Sequence, residues 1–170
     1  MSTANPLDGI PQPLLDAMLD PERRDQSVVV DGADVRVQFN PEPGVDQRVH
    51  IAEGAEGMTM TTFEAAEDRP ASYPADLPFL PGLKASVHAR ADEPDRNRAV
   101  MWWSLPDLDD ALTRIRAQCD AAGWVEDEST EFLPGLRMID FRHPDGRSRM
   151  VQTTAMGETS SVSLFENPRE

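Results

Sequence analysis

Apolar positions along this chain recur mostly with a period of two, and once, in a long run, with a period near 3.6. In "SVVVDGADVRVQF", residues 27–39, Val28 and Val30 precede Asp31-Gly32, a dipeptide favoured in tight type I′ turns. Val35, Val37 and Phe39 follow in alternation, so the pattern predicts a β-hairpin. A second hairpin is predicted from Arg48–Ile51 to Met58–Phe63 across "AEGAEG", because Met58 and Met60 alternate with Thr59 and Thr61. Ahead of both, "PQPLLDAMLD" places Leu14, Leu15, Met18 and Leu19 in one stripe behind a proline first turn. That predicts a short N-terminal helix, ended by Asp20-Pro21.

The helical period belongs to the second half. Leu108, Ala111, Leu112, Ile115, Cys119 and Ala122 form one face, predicting a helix from about Asp107 to Ala122. Asp107, Asp109 and Asp110 lie where carboxylates favour the helix dipole, and Gly123 stands at the residue after the C-cap. Strands are predicted at 84–90 and 98–105 around the polar "ADEPDRN", and after the helix at about 136–142, 147–156 and 160–166, with Trp124 opening a strand of its own. "FLPGL" occurs at 79–83 and again at 132–136, each time before a basic residue and a strand, which reads as a shared turn. Residues 64–82 are rich in Pro, Ala and acids and mark a boundary. The expected organisation is an acidic N-terminal segment (1–70) with a short helix and β-hairpins, packed on a C-terminal domain (71–170). The expected fold class is α+β, a helix packed on an antiparallel sheet in a ββαβββ-like unit.

Adjacent strand residues point to opposite faces, so Trp102 and Trp103 cannot both lie beneath the helix. Met101, Trp103 and Leu105 make the more continuous apolar set and are assigned to the helix side. Trp102 then points away, together with Leu136, Met138 and Phe165, and these four are the candidate partner contacts. A sheet with two apolar faces needs two covers, and the second is the N-terminal half, a second subunit or a ligand. The N-terminal half is the first expectation.

Charge narrows the choice of partner. The chain has 170 residues and a net charge of −15. Residues 1–78 hold 15 acidic and 5 basic residues, and 79–170 hold 16 and 11, giving −10 and −5. Such a surface repels phosphate backbones and anionic membranes, so no nucleic-acid partner is expected. No transmembrane segment is expected, since no stretch approaches 18 apolar residues. The start lacks a signal-peptide pattern, so the expected location is cytoplasmic as written, or periplasmic or envelope had a leader been removed.

Motifs that carry chemistry are sparse. Cys119 is the single cysteine, on the apolar side of the predicted helix, where a buried inert thiol is the default. His50, His88 and His143 are isolated, and there is no HExxH, GxSxG, GxGxxG or P-loop pattern. Glu126, Asp127, Glu128 and Glu131 read as a solvated acidic rim. Arg147 and Arg149 share a sheet face and suit cross-strand pairing with acids. No catalytic, cofactor-binding or metal residue, and no cofactor, is assigned.

"YPADLPFLPGLKASV", then "DLDDALTRIRAQCDAAGW", then "GRSRMVQTTAMGETSSVSLFE" resemble a bacterial domain of unknown function common in lipoproteins and other envelope proteins. The resemblance covers roughly residues 73–166. It implies a helix on an antiparallel sheet and assigns no catalytic residue. "SLPDLDDALTRIRAQ" with "FRHPDGRSRMVQ" also looks like one module of the glyoxalase-like vicinal oxygen chelate enzymes. Gln152 stands near where those enzymes have a carboxylate ligand, and the strand at 99–105 has no His or Glu. The expected function is thus a non-catalytic acidic accessory or protein-interaction module, with an unknown protein partner or a homodimer. The alternatives are a glyoxalase-like metal-binding enzyme, or a nucleic-acid mimic or immunity-type protein that occupies a basic partner.

Overall fold

The computed structural model describes residues 25–30, 33–53, 56–90, 97–156 and 158–167. In chain order they form β1 (Asp25–Val30), β2 (Ala33–Phe39), β3 (Val45–Glu53), β4 (Glu56–Phe63), β5 (Ala85–Arg90), β6 (Arg98–Trp103), α1 (Leu108–Ala121), β7 (Val125–Leu133), β8 (Leu136–Arg142), β9 (Ser148–Met156) and β10 (Thr159–Asn167). All ten strands belong to one antiparallel sheet in the order β1-β2-β3-β4-β5-β6-β10-β9-β8-β7. The chain meanders from β1 to β6. It then crosses by α1 to the far edge, enters there as β7, and walks back until β10 pairs with β6.

This corrects the α+β expectation. Among the described residues a single 14-residue helix lies on a ten-stranded sheet. The reason is one long-range pairing. β4 pairs with β5 from Met58↔Arg90 to Phe63↔Ala85, so the two halves share one sheet. The described N-terminal strands therefore widen the sheet instead of covering its second face. The strand expected from Trp124 onward also forms: the acid-rich residues 125–133 pair with β8. The expected short helix at 11–19 and the Asp31-Gly32 turn lie outside the described residues.

Helix α1 forms where the 3.6-residue spacing predicts it. Asp107 caps it by accepting from the Asp110 N–H at 3.0 Å. At its end Gly123 has φ +84, with Gly123 N–H bonding Asp120 O and Trp124 N–H bonding Cys119 O, both at 2.9 Å. That is a Schellman ending, which a side chain at 123 would strain. Ala111, Leu112, Ile115 and Cys119 are buried against the sheet. Residues 64–83 run over the same side and add Tyr73, Leu77 and Leu80 to the core. Tyr73 packs edge-on to Phe63 and Phe79, at 5.0 and 5.4 Å between ring centres. Gln118 of α1 ties the segment down by accepting from Phe79 N–H and donating to Phe79 O, at 2.8 and 2.9 Å.

The tryptophans sit the other way round from the sequence expectation. Cross-strand register aligns Trp102 with Val162 and Val100 with Leu164, and all four are fully buried on the helix side. Trp103 and Met101 point to the open side. Leu105 is nevertheless buried in the same core as Trp102. Ser104, at φ +56, breaks the alternation and swings Leu105 back. The set Met101, Trp103, Leu105 looks continuous in sequence because that kink is invisible there.

Candidate interaction face

Chemically, the densest cluster is buried on the helix side. Glu166 of β10, with no exposed side-chain surface, receives Arg149 Nε at 2.8 Å, Arg98 Nη2 at 3.1 Å and Arg147 Nη1 at 3.2 Å. Asp76, from the segment above, takes the Arg98 guanidinium in a two-point bond at 2.5 and 2.9 Å. Arg149 also donates to the Asp76 carbonyl at 2.9 Å and lies 3.9 Å from the centre of the Trp124 ring. The hydrogen bond from Arg98 holds the Asp76 carboxyl below the usual carboxylate range, against the opposing effect of burial. For Arg98, burial works against the charge, but Asp76 and Glu166 outweigh it and push its value up. Burial raises the Cys119 thiol beside Arg149, which favours its protonated form.

This cluster acts as a clasp. Each charge in it already faces an opposite charge, and it fastens the 64–83 segment and Trp124 to β6, β9 and β10. A cleft of about 440 Å³ beside it, between residues 72–76 and β4–β6, is lined by Thr59, Thr61, Phe63 and Val87 among others. Its two charged groups, Asp76 and Arg98, are bonded to one another. Arg98 Nε and Trp102 Nε1 are buried without a partner. Among the described residues, no group of three or more His, Cys, Asp or Glu could hold a metal ion.

Over β4–β6 and β8–β10 no described helix or strand packs on the opposite side of the sheet, although Val37 of β2, in register with Val49 and Met60 on that side, is buried. Over these six strands that side presents Met58, Met101, Trp103, Phe165, Met150 and Met138, with Met58 40% and Met101 41% exposed and the rest half-buried. Small or uncharged residues (Ser86, Ala99, Ser161, Ser163, Gln152) lie between them. Inside the strand ends, Asp140 is the one carboxylate on this side among the described residues of these six strands. His88 lies there too, hydrogen-bonded to Ser86 Oγ at 3.1 Å, and its burial lowers its pKa. Methionine and aromatic enrichment with few charges is the composition of interface centres.

The four sequence candidates divide on this geometry. Leu136, Met138 and Phe165 stand on the open side, half-buried. Trp102 does not: it is fully buried under α1 and is withdrawn as a contact. Its place is taken by its neighbours Met101 and Trp103. The strand that "AVMWW" pairs with decides the matter, since Val162 and Leu164 fix which side is core. Neither Glu166 nor Arg98 was foreseen as a buried pair, because their partnership joins residues 68 apart. Arg149, by contrast, makes the cross-strand acid pair its position suggests.

Comparisons of this chain with protein-family models, with curated proteins and with solved structures gave no match. No helix among the described residues is long and apolar enough to cross a membrane.

Proposed function

We propose that this protein is a non-catalytic interaction module that works through the open side of its sheet. One observation carries the reading. In a chain with 31 acidic residues, a six-strand surface bearing methionines and aromatics has a single carboxylate inside its strand ends. An ordinary solvated sheet face alternates with polar and charged residues, whereas a charge-depleted one is suited to burial against another macromolecule. The clasp supports the same reading, because its charged groups are bonded to one another.

The test is affinity purification from native extract with the wild-type chain and with Trp103→Glu. The variant places a charge on the open side and leaves the core untouched. Proteins or further copies of this chain retained by the wild type and lost by the variant support the reading. Identical retention by both, with the same circular-dichroism spectrum, overturns it.

A further inference from the structure

We infer that the occupant of the open face is a second copy of this chain, packed sheet to sheet about a two-fold axis running along the seam between β6 and β10. The inference rests on the interaction reading above and adds the partner.

The seam carries the argument. Cross-strand neighbours on the open side are Phe165↔Ala99, Ser163↔Met101 and Ser161↔Trp103. Every pair joins one large and one small side chain, and the large one changes strand: β10 supplies Phe165, β6 supplies Met101 and Trp103. A two-fold axis parallel to the strands keeps each row in place and exchanges the two strands. In the resulting dimer Phe165 of one copy lies over Ala99 of the other, Met101 over Ser163 and Trp103 over Ser161. Large side chains thus meet the hollows left by small ones, which is what close packing between two sheet faces about 10 Å apart needs.

Area and charge agree. Six strands at about 4.8 Å spacing span about 29 Å, and strands of six to nine residues run about 20–30 Å. The footprint is then about 600–900 Å² per copy, against about 800 Å² per partner in a stable complex. Two copies of net charge −15 would repel through most of their surfaces. Here the carboxylate-poor side is the one that can face itself. A basic partner would find no row of acids on it.

Light scattering after gel filtration tests this on the full chain. The wild type should run at twice the monomer mass. Met101→Lys and Ser163→Glu should each run as monomers with unchanged circular dichroism, their dimerisation weakened at least tenfold. Mixed one to one, they should recover a dimer, because the introduced lysine of one copy then lies over the introduced glutamate of the other. A wild type that stays monomeric up to millimolar concentration overturns the inference, as does a mixture that stays monomeric while the wild type dimerises. If the wild type is monomeric but Trp103→Glu still loses a retained protein, the second copy is wrong and the interaction module stands. If that retention is also unchanged, both readings fall.

Discussion

At the scale of single residues, Trp102 and Trp103 are neighbours in sequence with opposite fates, and substitution separates them. Trp102 is fully buried among Val100, Val162 and Leu164, so Trp102→Ala should cost about 3–5 kcal/mol by urea denaturation, the usual range for an aromatic removed from a core. Trp103→Ala, on the open side, should change monomer stability by less than about 1 kcal/mol. Equal losses would show that the two faces have been assigned wrongly. Glu166 makes a second residue-scale case. Glu166→Gln leaves Arg149 and Arg98 buried with their central counter-charge gone, and should destabilise by about 3–5 kcal/mol. His88 gives a pH signature. Burial sets its folded value below the ordinary 6.5, so the unfolded chain takes up the proton first as pH falls. Stability contributed by neutral His88 is complete above pH 6.5 and declines below it, down to the folded-state value. The stability difference between wild type and His88→Asn should be flat above that point and shift against the wild type below it, as read from urea midpoints across pH 5 to 8.

At the scale of elements, local patterning and local chemistry agree almost everywhere. Both N-terminal hairpins, the helix with its Asp107 cap and Gly123 ending, and the strands on either side of it stand where alternation and capping residues place them. The repeated "FLPGL" is a shared turn in a physical sense, since Gly82 and Gly135 have φ +77 and +84. Gly135→Ala should be the costlier of the two alanine substitutions. A Cβ there would meet Ala155 Cβ at 2.7 Å, whereas at Gly82 the nearest atom is a carboxylate oxygen of Glu67 at 3.4 Å. Thermal melts of the two variants check the order. What the sequence does not show is pairing at a distance. Phe63↔Ala85 merges two apparent units into one sheet, and nothing in either strand alone specifies it. For β7 the sequence marks only the start, at Trp124: eight of its nine residues are exposed, so its length lacks the apolar alternation by which strands are recognised. The candidate contacts were legible in part, because Met138 and Phe165 follow simple alternation, while Trp102 was misplaced by the kink at Ser104.

At the scale of the whole molecule, a ten-stranded open sheet has edges, and the way β7 is protected predicts how the protein fails. Among the described residues β7 pairs with β8 on one side only, and Val125, Phe132 and Leu133 are 64%, 57% and 64% exposed along it. An edge of that kind is a template for another strand. Glu126, Asp127, Glu128 and Glu131 occupy the positions between, and a second β7 approaching it would bring like charges together. Three of them are partly compensated, by Arg116, Arg142 and Arg137 at 2.9, 2.8 and 3.6 Å, whereas Glu128 has Thr130 as its hydrogen-bond partner. Glu128 is thus the strongest single guard. Glu128→Val should leave the fold and its melting temperature nearly unchanged but produce aggregates that bind an amyloid dye and grow faster in high salt, where the remaining charges are screened. The wild type should do the same only as pH falls toward its isoelectric point near 4.5, where the acidic repulsion vanishes. This growth is open-ended and binds an amyloid dye, so it is distinguishable from the discrete sheet-to-sheet dimer. A face variant such as Met101→Lys should abolish the dimer and leave the acid-induced aggregation in place. Should Met101→Lys suppress both, the edge would not be the route, and the open face would account for all self-association of this chain.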